Sequence, residues 1–111
     1  MNIFFITPFP EAINSFMDNS IIKKAKEKGL IDYKIFNLFE YAKLPHRNID
    51  DYPFGGGTGM VMKPEPIFKA FDDVKLHFKK ELPRIIYPSP DGKKFNQEEA
   101  KKLKENDSLV F

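Results

Sequence analysis

The sequence has no cysteine and only two histidines among its 111 residues, His46 and His77. Without thiols, disulfide bonds and thiolate metal sites are excluded. The two histidines lie far apart and lack the spacing of metal ligands, so we expect no metal site. The absence of cysteine agrees with a cytoplasmic protein.

The chain also lacks a long hydrophobic run and a strong excess of one charge. No apolar stretch approaches the length that spans a membrane, and the first residues lack the basic and apolar regions of a signal peptide. Lysine plus arginine total 18 and aspartate plus glutamate total 16, for a net charge of +2. This balance does not by itself indicate nucleic acid binding, for which a local basic patch would be needed.

Short apolar runs alternate with segments of helical periodicity along the chain. Strands are predicted at residues 3–6, 31–38, 84–87 and 108–111, and the first and third are expected to be buried on both faces. Helices are predicted near residues 13–17, at 20–28 with Gly29 as the cap, from Pro64 to just before Pro83, and after Asn96. This alternation predicts an α/β fold, a parallel sheet with helices on both faces.

The predicted helices have apolar positions that we assign to the core. In the second helix these positions are Ile21, Ile22 and Ala25, and in the third they are Ile67, Phe68, Phe71, Val74, Leu76 and Phe78. The lysines of the second helix are typical of a solvated helix face, with a phosphate contact as the alternative.

Four glycines fall within five positions: Gly55, Gly56, Gly57 and Gly59. Glycine reaches backbone angles that other residues avoid and lets another surface approach the main chain, at a cost in backbone entropy. The run matches neither a phosphate-binding Walker loop nor a dinucleotide-binding fingerprint. It therefore indicates a ligand-contacting loop, with a flexible surface turn as the alternative.

Two other polar segments could carry chemistry. Arg47, with His46 beside it, could contact a phosphate or a guanine edge, and Asp50 or Asp51 could accept a hydrogen bond from a base. The alternative for this group is a loop ordered by its own salt bridges. We expect the loops at residues 7–11, 46–59 and 88–92 to share the edge of the sheet where ligands bind in open α/β folds.

The turn Tyr87-Pro88-Ser89-Pro90 follows the third predicted strand. It offers an aromatic face, a hydroxyl group and backbone carbonyls, which suit a flat heterocycle such as adenine better than a phosphate. The alternative is a rigid structural turn, because this segment is rich in residues that break regular structure.

Three motifs together resemble the bacterial tRNA (guanine-37-N1)-methyltransferases, over essentially all 111 residues and in the same order and spacing. The motifs are Phe9-Pro10-Glu11 after the first strand, His46-Arg47-x-x-Asp50-Asp51-x-Pro53-x-Gly55-Gly56-Gly57-x-Gly59-Met60, and Ile86-Tyr87-x-Ser89-Pro90-x-Gly92. The chain departs from the family pattern at Pro88, where leucine is common, and at Phe54, where tyrosine is usual.

The resemblance implies a SPOUT methyltransferase domain, a fold with a deep trefoil knot that is an exception to the rule against knots. Residues 1–111 would be the N-terminal part of this S-adenosylmethionine-binding domain, with the knot-forming part and a tRNA-binding domain beyond the end of the chain. The implied enzyme is a homodimer with its active site between subunits, and it methylates N1 of guanine 37 in tRNA.

The resemblance also assigns roles to individual residues. The implied cofactor-binding residues are Tyr87, Pro88, Ser89, Pro90, Gly57 and Gly59, and the implied tRNA-binding residues are His46, Arg47, Asp50, Gly55 and Gly56. The catalytic residues are expected beyond Phe111, so we expect the isolated chain to be inactive. The alternative function is a non-catalytic RNA-binding module that uses the glycine-rich loop.

Overall fold

A computed structural model describes residues 1–78 and 81–111, and its centre is a parallel sheet of four strands. In chain order the elements are β1 (Asn2–Thr7), α1 (Pro10–Met17), α2 (Ser20–Glu27), β2 (Asp32–Asn37), a 3-10 turn (Leu38–Tyr41), β3 (Asp50–Asp51), β4 (Val61–Met62), α3 (Pro64–Lys75), β5 (Arg84–Ile85), α4 (Gln97–Leu103) and β6 (Ser108–Val110). The strand order in the sheet is β2-β1-β6-β5. Strands β3 and β4 form a separate antiparallel hairpin. The predicted parallel α/β fold is confirmed.

Strand β1 lies in the middle of the sheet and pairs in parallel with β2 on one side and β6 on the other. The pairing with β6 continues past its last residue, since Phe111 N–H donates to Phe4 O and Ile6 N–H donates to Phe111 O, both at 2.8 Å. The short apolar run at the start of the sequence therefore becomes the central strand.

Helices cover both faces of the sheet, as predicted. On one face α3 packs over the strands, where Val74 joins Phe4, Phe36 and Val110 in a buried cluster. On the other face the Tyr33 hydroxyl donates to Asp18 Oδ1 at 2.7 Å and so ties β2 to the end of α1. Burial, followed by this contact with Asp18, raises the pKa of Tyr33 to about 12.

The helix boundaries follow local sequence signals. After α2, Gly29 has a φ of +69°, and the hydrogen bonds Gly29 N–H to Lys26 O and Leu30 N–H to Ala25 O form a Schellman motif. Helix α3 begins at Pro64, and the Asn96 side chain accepts a hydrogen bond from Glu99 N–H at the start of α4. These predicted caps are confirmed.

Several predicted core positions are wrong. Phe68 is 68% exposed, and Ile21 and Leu76 are exposed as well. In α3 the buried residues are Pro66, Ala70 and Val74, which are spaced four residues apart. The small Ala70 side chain leaves room for the segment after β2 to approach the helix. The helix ends at Lys75, and residues 79–80, over which the prediction extended, lie outside the described residues.

Strand β5 also differs from its prediction, because it is an edge strand and not a buried one. Within residues 1–78 and 81–111 it pairs only with β6, and Ile85 is 59% exposed. Ile85 therefore faces solvent on the described surface, whereas Ile86 is half-buried. No helix in the described part of the chain has both the length and the hydrophobicity to cross a membrane.

Candidate functional site

The predicted site loops lie at the carboxyl edge of the parallel sheet. The loop at residues 7–11 follows β1, and the turn at residues 88–92 follows β5. Helix α3 runs antiparallel to the strands, because Ala70 packs with Leu38 just beyond β2 whereas Val74, one turn later, packs with Phe4 and Phe36 within the strands. The first turn of α3 and the glycine loop before it therefore lie at the same edge.

The glycine loop, residues 52–60, is closed by a hairpin that is fixed to the core. Asp50 pairs with Met62 and Asp51 pairs with Val61, and Lys63 N–H donates to Ile49 O at 2.6 Å. Ile49 is only 5% exposed and packs against Leu38, Ala42 and Ala70. Both ends of the loop thus have a defined position although the loop itself is exposed.

The four glycine positions of the loop have backbone conformations that other residues rarely adopt. Gly55, Gly56, Gly57 and Gly59 have φ angles of +78°, +85°, +128° and +86°, a region that residues with a Cβ rarely adopt. A Cβ would meet no atom within 4 Å at Gly55, Gly56 or Gly59, and only Pro53 Cγ at 3.7 Å from Gly57. The backbone path, and not crowding, therefore requires these glycines, which argues against an accidental cluster.

The polar group before the loop is exposed, and its charged side chains are not paired with one another. Arg47 has a φ of +46° and its Nη1 donates to Phe39 O at 3.3 Å. Asp50 N–H donates to the Asn48 side chain at 3.0 Å. Among the ion pairs of residues 1–78 and 81–111, none involves His46, Arg47, Asp50 or Asp51, so the alternative of a salt-bridged loop is not seen.

The turn after β5 is tight and presents an aromatic side chain. Gly92 N–H donates to Ser89 O at 3.0 Å and Asp91 N–H donates to Ser89 Oγ at 3.3 Å. A type I turn favours serine in its first position, proline in its second and glycine in its fourth, as in Ser89-Pro90-Asp91-Gly92. A Cβ on Gly92 would lie 3.0 Å from Ser89 O, so glycine is needed for close approach. Tyr87 is 86% exposed.

The glycine loop and the turn at residues 87–92 lie at the same edge of the sheet. No hydrogen bond or ion pair within the described residues joins them. Three hollows of about 180, 540 and 380 Å³ are lined in part by His77, and none of the predicted site residues lines them. We therefore place the candidate site on the open carboxyl edge.

Sequence reasoning missed the residues that hold the glycine loop in place. Ile49 lies between polar neighbours in an irregular segment, so no periodicity indicated its burial. The Tyr41 hydroxyl donates to Asp73 Oδ2 at 2.8 Å, and Lys43 lies 3.5 Å from a Glu65 carboxylate oxygen. Both contacts join the segment before the loop to the helix after it, and only the long-range fold brings these residues together.

The family model described as tRNA (Guanine-1)-methyltransferase TrmD matches residues 1–111. Two curated relatives, both named tRNA (guanine-N(1)-)-methyltransferase, match the whole chain. The one from Dictyoglomus turgidum is 46% identical over 111 residues, and the match covers 44% of its length. The one from Bacillus subtilis is 40% identical over 111 residues, with 45% of its length covered.

A solved structure shares the fold. It is described as the crystal structure of tRNA (m1G37) methyltransferase from Aquifex aeolicus, and it superimposes with a TM-score of 0.88 at 34% sequence identity. The match covers 99% of this chain and 49% of that one. The chain thus spans about half the length of the relatives it matches.

Proposed function

Because the chain belongs to the tRNA (guanine-1)-methyltransferase family, we propose that it is the N-terminal part of an enzyme that methylates N1 of guanine 37 in tRNA. The observation that carries the proposal is the glycine loop. Its four left-handed glycines lie on a hairpin anchored at the ligand-binding edge of the sheet, within a chain that matches the family model from end to end.

The methyl donor in this proposal is S-adenosylmethionine, whose sulfonium supplies an electrophilic methyl group. The turn at residues 87–92 fits an adenosyl group in its chemistry. Tyr87 offers an exposed ring, Pro88 and Pro90 have no N–H and leave carbonyl acceptors, and Gly92 keeps the turn close to Ser89. We propose that Tyr87, Pro88, Ser89 and Pro90 bind the cofactor.

We propose that the glycine loop closes this site from the opposite side. Gly57 and Gly59 would face the cofactor, and Gly55 and Gly56 would face the tRNA. Because these four residues lack side chains, a ligand can approach their backbone directly; the Gly56 N–H already donates to Pro53 O. A closed loop also excludes water from the reacting groups, which strengthens electrostatic interactions there.

The polar residues before the glycine loop can form hydrogen bonds with a nucleotide of the tRNA. Arg47 can donate to a phosphate or to the acceptors of guanine, and Asp50 can accept from a base N–H. His46 lies beside them. Since none of these side chains is held in an ion pair in the described structure, they can bind RNA without first breaking one. Their task in this proposal is to orient the target base, and alignment of reactants supplies a large part of a rate enhancement.

The assembly and location of the enzyme belong to the same proposal. The resemblance to the family supports a homodimer with the active site between subunits, and a tRNA substrate supports the cytoplasm. The residues that take the N1 proton are proposed to lie in the part of the enzyme that this chain does not contain.

The test is transfer of a labelled methyl group to tRNA transcripts. We expect the enzyme that contains this chain in full to label a tRNA with guanine at position 37 and to leave a matched tRNA with adenine there unlabelled. We expect the purified 111-residue chain to label neither. Labelling of both transcripts by the full enzyme, or of none under saturating cofactor, would contradict the proposed reaction.

A further inference from the structure

Two aromatic side chains project from the tip of the glycine loop. Phe54 is fully exposed and Tyr52 is 79% exposed. Leaving a phenyl ring in water forgoes the stabilisation that burial of its surface would give. An aromatic ring exposed at the tip of a hairpin is available for contact with a partner outside the described chain.

The position of Phe54 is fixed by the turn in which it lies. Gly56 N–H donates to Pro53 O at 3.3 Å, and Gly55 has a φ of +78°. This combination is that of a type II turn with Phe54 as its second residue. The ring is therefore presented at the apex of a hydrogen-bonded turn, on a hairpin whose base is anchored by Ile49.

The charges of the hairpin limit what Phe54 can contact. Residues 48–62 contain no lysine and no arginine, and they contain two aspartates, Asp50 and Asp51. Within this segment no side chain offers a positive charge to a phosphate, although Arg47 and Lys63 lie just outside it. Contact through the flat faces of bases is compatible with it, because stacking on an aromatic side chain needs no positive charge.

We propose that Phe54 stacks on an unpaired nucleobase of the anticodon loop, next to the target guanine. This inference rests on the proposed function, which brings the anticodon loop to this edge of the sheet. Proteins recognise single-stranded RNA loops by stacking splayed-out bases on aromatic side chains. Stacking on Phe54 would hold the neighbouring base out of the helical stack and leave the target guanine accessible to the polar group around Arg47.

The test uses the full-length enzyme with three substitutions at one position. Phe54→Tyr keeps the ring, whereas Phe54→Leu keeps the apolar volume without the ring, and Phe54→Ala removes both. We expect the Leu and Ala variants to raise the KM for tRNA by about five- to 160-fold, the range expected for loss of one stacked base. We expect Phe54→Tyr to stay within about two-fold, and the KM for S-adenosylmethionine to be unchanged in all three.

A matched control is Phe68→Ala, which removes another exposed phenyl ring from helix α3. It should leave the KM for tRNA unchanged. A direct readout is the fluorescence of 2-aminopurine placed on either side of the target guanine. We expect the wild type and the Tyr variant to raise the fluorescence of one of these probes on binding, because that base leaves the quenching stack of its neighbours, and the Leu and Ala variants to raise it less.

Other outcomes would overturn the inference without touching the proposed function. If Phe54→Leu behaves like the wild type, the ring has an apolar role and no stacking role. If Phe54→Ala lowers the melting temperature or weakens the dimer while the KM for tRNA is unchanged, Phe54 packs against protein. Failure of the unaltered enzyme to methylate guanine 37 would instead count against the proposed function itself.

Discussion

The hydroxyl of Tyr41 donates a hydrogen bond of 2.8 Å to Asp73 Oδ2 and so connects the 3-10 turn after β2 to helix α3. The whole glycine loop lies between these two residues in the sequence. Lys43 and Glu65 make a second link across the same segment, at 3.5 Å, and the Lys69 and Lys43 ammonium groups hold the pKa of the Glu65 carboxyl below its usual value. The ion pair is exposed, and pairs of that kind contribute little to stability.

Removal of the Tyr41 hydroxyl should weaken this connection. We expect Tyr41→Phe to lower the free energy of unfolding by about 1 kcal/mol, the usual net value of one hydrogen bond, as measured by urea denaturation. The control is Tyr52→Phe, since Tyr52 is exposed on the glycine loop and loss of its hydroxyl should leave stability unchanged. Equal effects of the two substitutions would show that the Tyr41–Asp73 bond does not stabilise the fold.

The two hydrogen-bonded tyrosines predict a loss of stability at alkaline pH. Burial, followed by hydrogen bonding to Asp18 and Asp73 respectively, raises the pKa of Tyr33 and of Tyr41 from 10.0 to about 12. The folded state therefore holds these two protons more tightly than the unfolded state. Their contribution is fully present below pH 10 and is lost as the pH rises from 10 through about 12.

The measurement is the free energy of unfolding as a function of pH, for the wild type and for the double variant Tyr33→Phe/Tyr41→Phe. We expect the wild-type curve to fall more steeply than the double-variant curve between about pH 10 and 12. Parallel curves over that interval would mean that other groups cause the alkaline loss of stability.

Alanine substitution at two glycines with a positive φ should separate an effect on stability from an effect on activity. Gly57→Ala places a Cβ at a φ of +128° and Gly29→Ala places one at +69°, and neither site is crowded. Gly29→Ala should cost about 1–2 kcal/mol of stability from backbone strain, and Gly57→Ala about 1–3 kcal/mol, because a φ of +128° lies outside the left-handed helical region. Only Gly57→Ala should also lower kcat/KM for methyl transfer, by about ten-fold or more, because Gly29 caps α2 far from the carboxyl edge.

Thermal denaturation and steady-state kinetics of the same two variants make this comparison. A similar loss of activity in both variants would mean that the effect of Gly57→Ala follows from lowered stability alone. In that case the loop conformation would not contribute to methyl transfer.

The turn after β5 predicts a specific effect on cofactor binding. Gly92→Ala would place a Cβ 3.0 Å from Ser89 O, so the turn must shift by a few tenths of an ångström, and Ser89→Ala removes the acceptor for Asp91 N–H. We expect both to raise the KM for S-adenosylmethionine more than the KM for tRNA, with Gly92→Ala having the larger effect. Lys94→Ala, at an exposed position two residues after the turn, should change neither constant. A rise in the KM for tRNA alone would move these residues to the tRNA-binding surface.

The sequence by itself determined the elements whose signals are local. The apolar run at residues 3–6 predicted a strand, and the structure made it a central one, β1. The Pro64, Asn96 and Gly29 signals predicted the helix boundaries, because caps depend on neighbouring backbone groups. The glycine run likewise predicted an unusual backbone path. The motifs around it identified the family, which the family model and the relatives then confirmed.

Only the tertiary structure decided the features that depend on residues distant in the sequence. The burial of Ile49, the choice of Ala70 over Phe68 as the inward side of α3, and the exposure of Ile85 on an edge strand are all set by packing partners. Local patterns specify which backbone conformations are favourable, but only the folded chain specifies which surfaces pack against each other. For the same physical reason, the shared position of the glycine loop and the Tyr87 turn follows from the parallel strands and the direction of α3, and not from either motif alone.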